Sequence, residues 1–149
     1  MKSVRSTLNS KSKMNNKVSL VCLDVGEKRI GVAVGDSAIR IAVALETIET
    51  DGGEIAAIRK IINDEGADIL VVGYPRNQSG EPTAQTKFVT DFVDGLSGIA
   101  PKIVFQDESL TSVIAEQRLQ AFKKPYSKAD IDAQAAAIIL QDFIEANYA

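Results

Sequence analysis

The chain opens its patterned part with three short runs rich in β-branched residues, VSLVCLD (18–24), RIGVAVGD (29–36) and IAVALETI (41–48), separated by turns at Gly26 and Asp36-Ser37. That pattern predicts an antiparallel meander. Over 53–65 the period changes: Ile55, Ile58, Ile61 and Ile62 recur at three- and four-residue spacing with charges between them and Gly66 just beyond, which predicts an amphipathic helix. ADILVVG (67–73) is apolar throughout, as a central strand covered on both faces should be, and runs into the loop Tyr74 to Gly80. A helix over roughly 82–96, a strand over 102–106, a helix from near 110 and a last helix over about 127–146 complete the body. Ser127 caps the last helix, with Asp130 closing a carboxylate variant of the capping box. Lys123-Lys124-Pro125-Tyr126 breaks the pattern between the final two helices. The order βββαβαβαα predicts an α/β domain, a mixed five-stranded sheet with helices on both faces, over residues 17–149.

Residues 1–16 lack that patterning. MKSVRSTLNSKSKMNN is rich in Ser, Asn and Lys, and reads as a flexible basic N-terminal tail: an extension with no role of its own, or an electrostatic arm for RNA. The net charge of −3 conceals this asymmetry, because the 12 basic residues from position 18 onward face 20 acidic ones. Such a body cannot grip a phosphate backbone by bulk charge, so any nucleic-acid contact must be local. With 45% apolar and 25% charged residues the composition is that of an ordinary globular domain. The sequence offers neither a membrane-length apolar run nor the apolar core of a signal peptide, and its single cysteine, Cys22, sits in an apolar run. A cytoplasmic protein with no membrane partner is the expectation.

Histidine is absent, which excludes histidine bases, Ser-His-Asp triads and histidine zinc ligands. Chemistry must then fall to carboxylates, whose hard oxygens suit Mg²⁺ or Mn²⁺. Three stand out. Asp24 ends the first strand, where an apolar residue is usual, with Gly26, Lys28 and Arg29 close behind. It is either a site carboxylate or a turn aspartate paired to Arg29. Glu108 lies at the carboxyl end of another apolar strand, which Asp107-Glu108 close and where open α/β sheets place their ligands, although Asp107-Glu108-Ser109 also fits a helix N-terminal cluster. Asp132 lies early in the last helix beside Ala133, Ala135, Ala136 and Ala137, small residues that permit either close packing over the strand ends or a plain alanine-rich face with solvated acids. Spacing alone does not bring the three together. If the fold does, their mutual repulsion calls for one or two divalent ions. The loop carrying Arg76 and Asn77 is either a phosphate or sugar contact or a simple connection.

Four strings, LDVGEKRIGVAVGD, ILVVGYPRNQSGEPTAQTKFVTDFVDGL, FQDESLTSVIAEQRL and DIDAQAAAIIL, resemble in order the motifs of the YqgF family over about Val18 to Tyr148. The resemblance implies an RNase H-like fold related to the Holliday junction resolvase RuvC, and a nuclease that matures the 5′ end of pre-16S ribosomal RNA. It makes Asp24, Glu108 and Asp132 catalytic ligands of Mg²⁺ or Mn²⁺, and puts Lys28, Arg29, Arg76, Asn77 and Thr111 on positions facing substrate. The partner it implies is nucleic acid, pre-16S rRNA ahead of branched DNA, together with ribosomal particles, for a monomer or homodimer. Rival readings are a junction-cleaving DNA endonuclease, which expects a dimer, and a catalytically silent RNA- or ribosome-binding module. The ATP-binding kinases and chaperones of the same superfamily rank lower, since they enclose a nucleotide with a second lobe. This sequence departs from the motifs at Ser109, where arginine is usual, at Gly35, where serine is common, and at Ala44, where proline is common. Ser109 removes a cation suited to bidentate phosphate contact.

Overall fold

A computed structural model describes residues 16–75, 81–108 and 111–148, and of Thr111 and Ser112 only the backbone. The basic tail up to residue 15, the Arg76–Asn77 loop and Ser109 lie outside the described residues. Five strands, β1 (Ser19–Val25), β2 (Arg29–Asp36), β3 (Val43–Glu49), β4 (Ile69–Pro75) and β5 (Lys102–Glu108), and four helices, α1 (Glu54–Glu65), α2 (Ala84–Asp94), α3 (Thr111–Ala121) and α4 (Lys128–Tyr148), follow one another in the expected order.

The sheet runs β3-β2-β1-β4-β5. β1, β2 and β3 form the antiparallel meander, and β1, β4 and β5 pair in parallel, so the sheet is mixed and β1 lies at its centre. Strand alternation divides the core into two layers. Val21, Leu23 and Val25 of β1 face α1 and α2, where they meet Ile58, Ile61, Ile62, Val89 and Val93. Leu20 and Cys22, with Ala33 and Val71, face α4 through Ala136, Ile139, Leu140, Phe143 and Ile144. α3 lies outside α4, held by Ala115 against Ala135 and Ile138.

Element boundaries differ from the expected ones where local bonding overrides propensity. The third strand begins at Val43 rather than Ile41, because Arg40 adopts a left-handed φ of 64° and the Ala42 amide donates to Gln141 Oε1 of α4 at 2.8 Å. β4 starts two residues late, at Ile69: the Asp68 amide donates to the Ser19 carbonyl at 2.8 Å, and its carboxylate accepts from the Ser19 amide at the same distance. β5 runs through Asp107 and Glu108, which pair with Tyr74 and Pro75. Those two acids are therefore strand residues, and the helix-cap alternative for them does not hold. Ser127 and Asp130 form the expected reciprocal cap, with Ser127 N to Asp130 Oδ2 at 2.9 Å and Asp130 N to Ser127 Oγ at 3.2 Å.

Candidate active site

Asp24, Glu108 and Asp132 come from β1, β5 and α4, and alternation sends the two strand carboxylates to the face of the sheet that α4 covers. Asp24 is two residues beyond Cys22 on β1, and Glu108 is four beyond Val104 on β5; Cys22 and Val104 both pack against α4. Asp24 is opposite Gly31 in the antiparallel register. The α4 backbone crosses that glycine so closely that an added Cβ would lie 1.9 Å from the Asp132 carbonyl oxygen. Only a residue without a side chain lets the helix descend there and bring Asp132 over the strand end.

Gly73 does the same for Glu108. The parallel register of β1 and β4 pairs Leu23 with Val72, so the next step sets Asp24 level with Gly73. Glu108 pairs with Pro75 and leans back across β4, its Oε2 just 2.5 Å from where a Gly73 Cβ would stand. Two glycines thus open the space into which the carboxylates converge.

Electrostatics record that convergence. Asp24 has its carboxyl pushed up to about 8, first by burial, then by the negative charges of Glu108 and Asp132. Beneath it, Cys22 is fully buried and its thiol is pushed well up, by burial and by the same Asp24 and Glu108 carboxylates. Cys22 is the small apolar residue its sequence context suggested.

Arg29 is the cation of this cluster. Its Nε donates to Asp132 Oδ2 at 2.7 Å, with both side chains about a quarter exposed. The alternative of a turn aspartate paired to Arg29 is thereby corrected: Asp24 is a strand residue, and the guanidinium binds the helix carboxylate. Lys28 is exposed on the turn between β1 and β2. Thr111 opens α3 just past Glu108; Arg76 and Asn77, on the loop leaving β4, lie outside the described residues.

Two polar residues escaped the sequence reading. Gln85 Nε2 donates to the Val25 carbonyl at 3.2 Å, and the hydroxyl of buried Thr86 donates to the Pro75 carbonyl. They tie the first turn of α2 to the ends of β1 and β4. The sequence signal was a threonine pair at capping spacing, since Thr83 and Thr86 close a reciprocal capping box.

Carboxylate oxygens on a half-buried face suit a hard divalent cation. Among the described residues, however, no group of three or more acidic or cysteine side chains forms a ready-made cation cage.

The family model described as "RuvX: Holliday junction resolvase" matches residues 18–146. The chain belongs to the RuvX family. A RuvX-family relative from Chloroflexus aurantiacus, named "Putative pre-16S rRNA nuclease", is 43% identical over 138 residues, covering 89% of this chain and 90% of the relative. One of the same name from Synechocystis is 39% identical over 137 residues, with coverage of 89% and 90%. Among solved structures, Thermus thermophilus RuvC in complex with a Holliday junction substrate superposes with a TM-score of 0.54 at 13% identity, over 87% of this chain and 94% of that one. The fowlpox virus resolvase complexed with junction DNA gives 0.55 at 10% identity, over 87% and 98%. These likenesses establish the RNase H-like fold for this RuvX-family member.

Proposed function

We propose that this RuvX-family chain, a nuclease hydrolysing phosphodiester bonds, is a divalent-cation-dependent enzyme that matures the 5′ end of pre-16S rRNA in the cytoplasm. The observation that carries the reading is the convergence of Asp24, Glu108 and Asp132 on one face, with half-buried Asp24 feeling the charges of the other two. The name shared by the relatives supports the rRNA substrate.

Asp24, Glu108 and Asp132 would hold Mg²⁺ or Mn²⁺. The bound ion would supply an activated water and stabilise the leaving oxygen, which replaces the histidine chemistry this chain lacks. With its carboxyl raised to about 8, Asp24 would carry a proton near neutral pH that a cation held by the three carboxylates would displace. Arg29 orients Asp132 through its 2.7 Å bond and exposes enough of its guanidinium to meet a phosphate. Lys28 stands on the open side of the same turn to position the diester. Arg76, Asn77 and Thr111 are assigned to further substrate contacts, beside the arginine-to-serine departure at Ser109.

The test is gel-resolved cleavage of a structured RNA carrying a 16S precursor 5′ end, beside a four-way DNA junction, with Mg²⁺, Mn²⁺ or EDTA. RNA cleavage that needs metal and falls at least about a thousandfold in Asp24→Asn is expected, the loss of a group acting at the reacting centre. Full activity in Asp24→Asn overturns the site. Cleavage of the junction alone transfers the function to DNA, and intact RNA binding without turnover favours a binding module.

A further inference from the structure

The turn between α3 and α4 is the part of the molecule that the catalytic reading leaves unused. From Arg118 to Lys128 the sequence carries four cations and no acid, within a body that is otherwise acidic. Arg118 acts on Asp142 of α4, which leaves Lys123, Lys124 and Lys128, all exposed. Beside them Phe122 is 68% exposed, an aromatic ring with no place in the core.

This turn is built rather than loose. The amides of Phe122 and Lys123 donate to the carbonyls of Leu119 and Gln120 at 3.2 and 3.0 Å, and Lys123 takes a left-handed φ of 56° that ends the helix. Gln120 Nε2 donates to the Tyr126 hydroxyl at 3.2 Å, and that hydroxyl donates to Glu116 Oε2 at 2.7 Å. Glu116 and Asp130, the nearest acids, are thus engaged by Tyr126 and by Ser127.

A groove of about 290 Å³ joins the turn to the candidate site, lined by Arg29, Val113, Glu116, Lys128, Ile131 and Asp132. Of the turn's exposed side chains Lys128 lines this groove, at the start of α4 and four residues, roughly 6 Å, before Asp132. One lysine on the wall of a groove beside the candidate site, with two more lysines and an exposed aromatic on the adjoining turn, is what a single strand needs: charges for successive phosphates and a ring for a base.

We infer that Phe122, Lys123, Lys124 and Lys128 form an anchor for single-stranded RNA flanking the scissile phosphate. The inference rests on the RNA nuclease reading for its substrate, but it concerns binding and not chemistry. An aromatic platform stacks unpaired bases and cannot reach those inside a duplex, so the anchor distinguishes strands by pairing and not by sequence.

The experiment is fluorescence anisotropy in EDTA with labelled single-stranded RNA, duplex RNA and single-stranded DNA, titrated over a range of salt. Lys123→Gln/Lys124→Gln is expected to weaken single-stranded RNA binding about tenfold at low salt, and to lower the log–log salt slope by about 1.4. Phe122→Ala is expected to weaken the single strand at least about fivefold and the duplex less than about twofold. Because the three side chains are exposed, thermal melts of these variants should match the parent. Unchanged affinity and slope overturn the anchor, equal losses on single strand and duplex overturn the stacking role, and tighter binding of DNA than RNA overturns the assignment to RNA. Hydrolysis of bis(p-nitrophenyl) phosphate by the unaltered protein reports the nuclease reading separately. Absence of that hydrolysis beside variant-sensitive RNA binding defeats the nuclease and leaves the anchor standing.

Discussion

Asp24 shows how a single side chain can trade stability for function. Its carboxyl, near 3.8 when unfolded, is raised to about 8 in the folded chain, first by burial and then by Glu108 and Asp132. Between those values the folded state binds more protons than the unfolded state, so stability falls as pH rises through the window and levels off above it. Metal-free Asp24→Asn is therefore expected to melt above the parent at pH 8, with the difference vanishing toward pH 4; scanning calorimetry in EDTA measures it. A parent that gains stability over that range would remove the electrostatic basis of the site. The sequence exposed Asp24 as a carboxylate out of place in an apolar strand, but not the partner of Arg29, which its nearness in sequence assigns to Asp24. Only the α4 crossing puts Asp132 in reach of the guanidinium.

At the scale of elements, the positions of α4 and β5 hang on two glycines. In Gly31→Ala the new Cβ meets backbone, the Asp132 carbonyl oxygen at 1.9 Å, and backbone cannot swing aside. A loss of about 3 kcal/mol or more is expected by chemical denaturation, the upper range for overpacking. In Gly73→Ala the clash is with side-chain ends, Glu108 Oε2 at 2.5 Å and Ile139 Cδ1 at 2.8 Å, which can turn away. Stability should fall by only about 1 kcal/mol, while cleavage falls with the displaced carboxylate. A Gly73→Ala variant with full turnover would show that Glu108 need not sit over β4. The order and type of every element were legible, because each has its own apolar period. Three details were not: the late start of β3 and of β4, and the choice between strand end and helix cap for Asp107 and Glu108. In each case a partner distant in sequence decides, Gln141 for Ala42, Ser19 for Asp68 and Tyr74 and Pro75 for the two acids.

Across the whole molecule, the acidic body leaves basic charge to small surfaces, among the described residues the Lys28–Arg29 turn beside the candidate site and the α3–α4 turn. The apolar core lies on both faces of the sheet, and Cys22, on its central strand in the layer under α4, has no exposed surface. A thiol alkylates as its thiolate, and here both access and ionisation are suppressed in the native fold. The chain consequently carries its own clock. Under native conditions the rate of alkylation should equal the thiol's intrinsic rate multiplied by the fraction of molecules momentarily opened through the middle of the sheet. One reagent, added without denaturant, then reads the free energy of global opening in any variant that keeps its one cysteine.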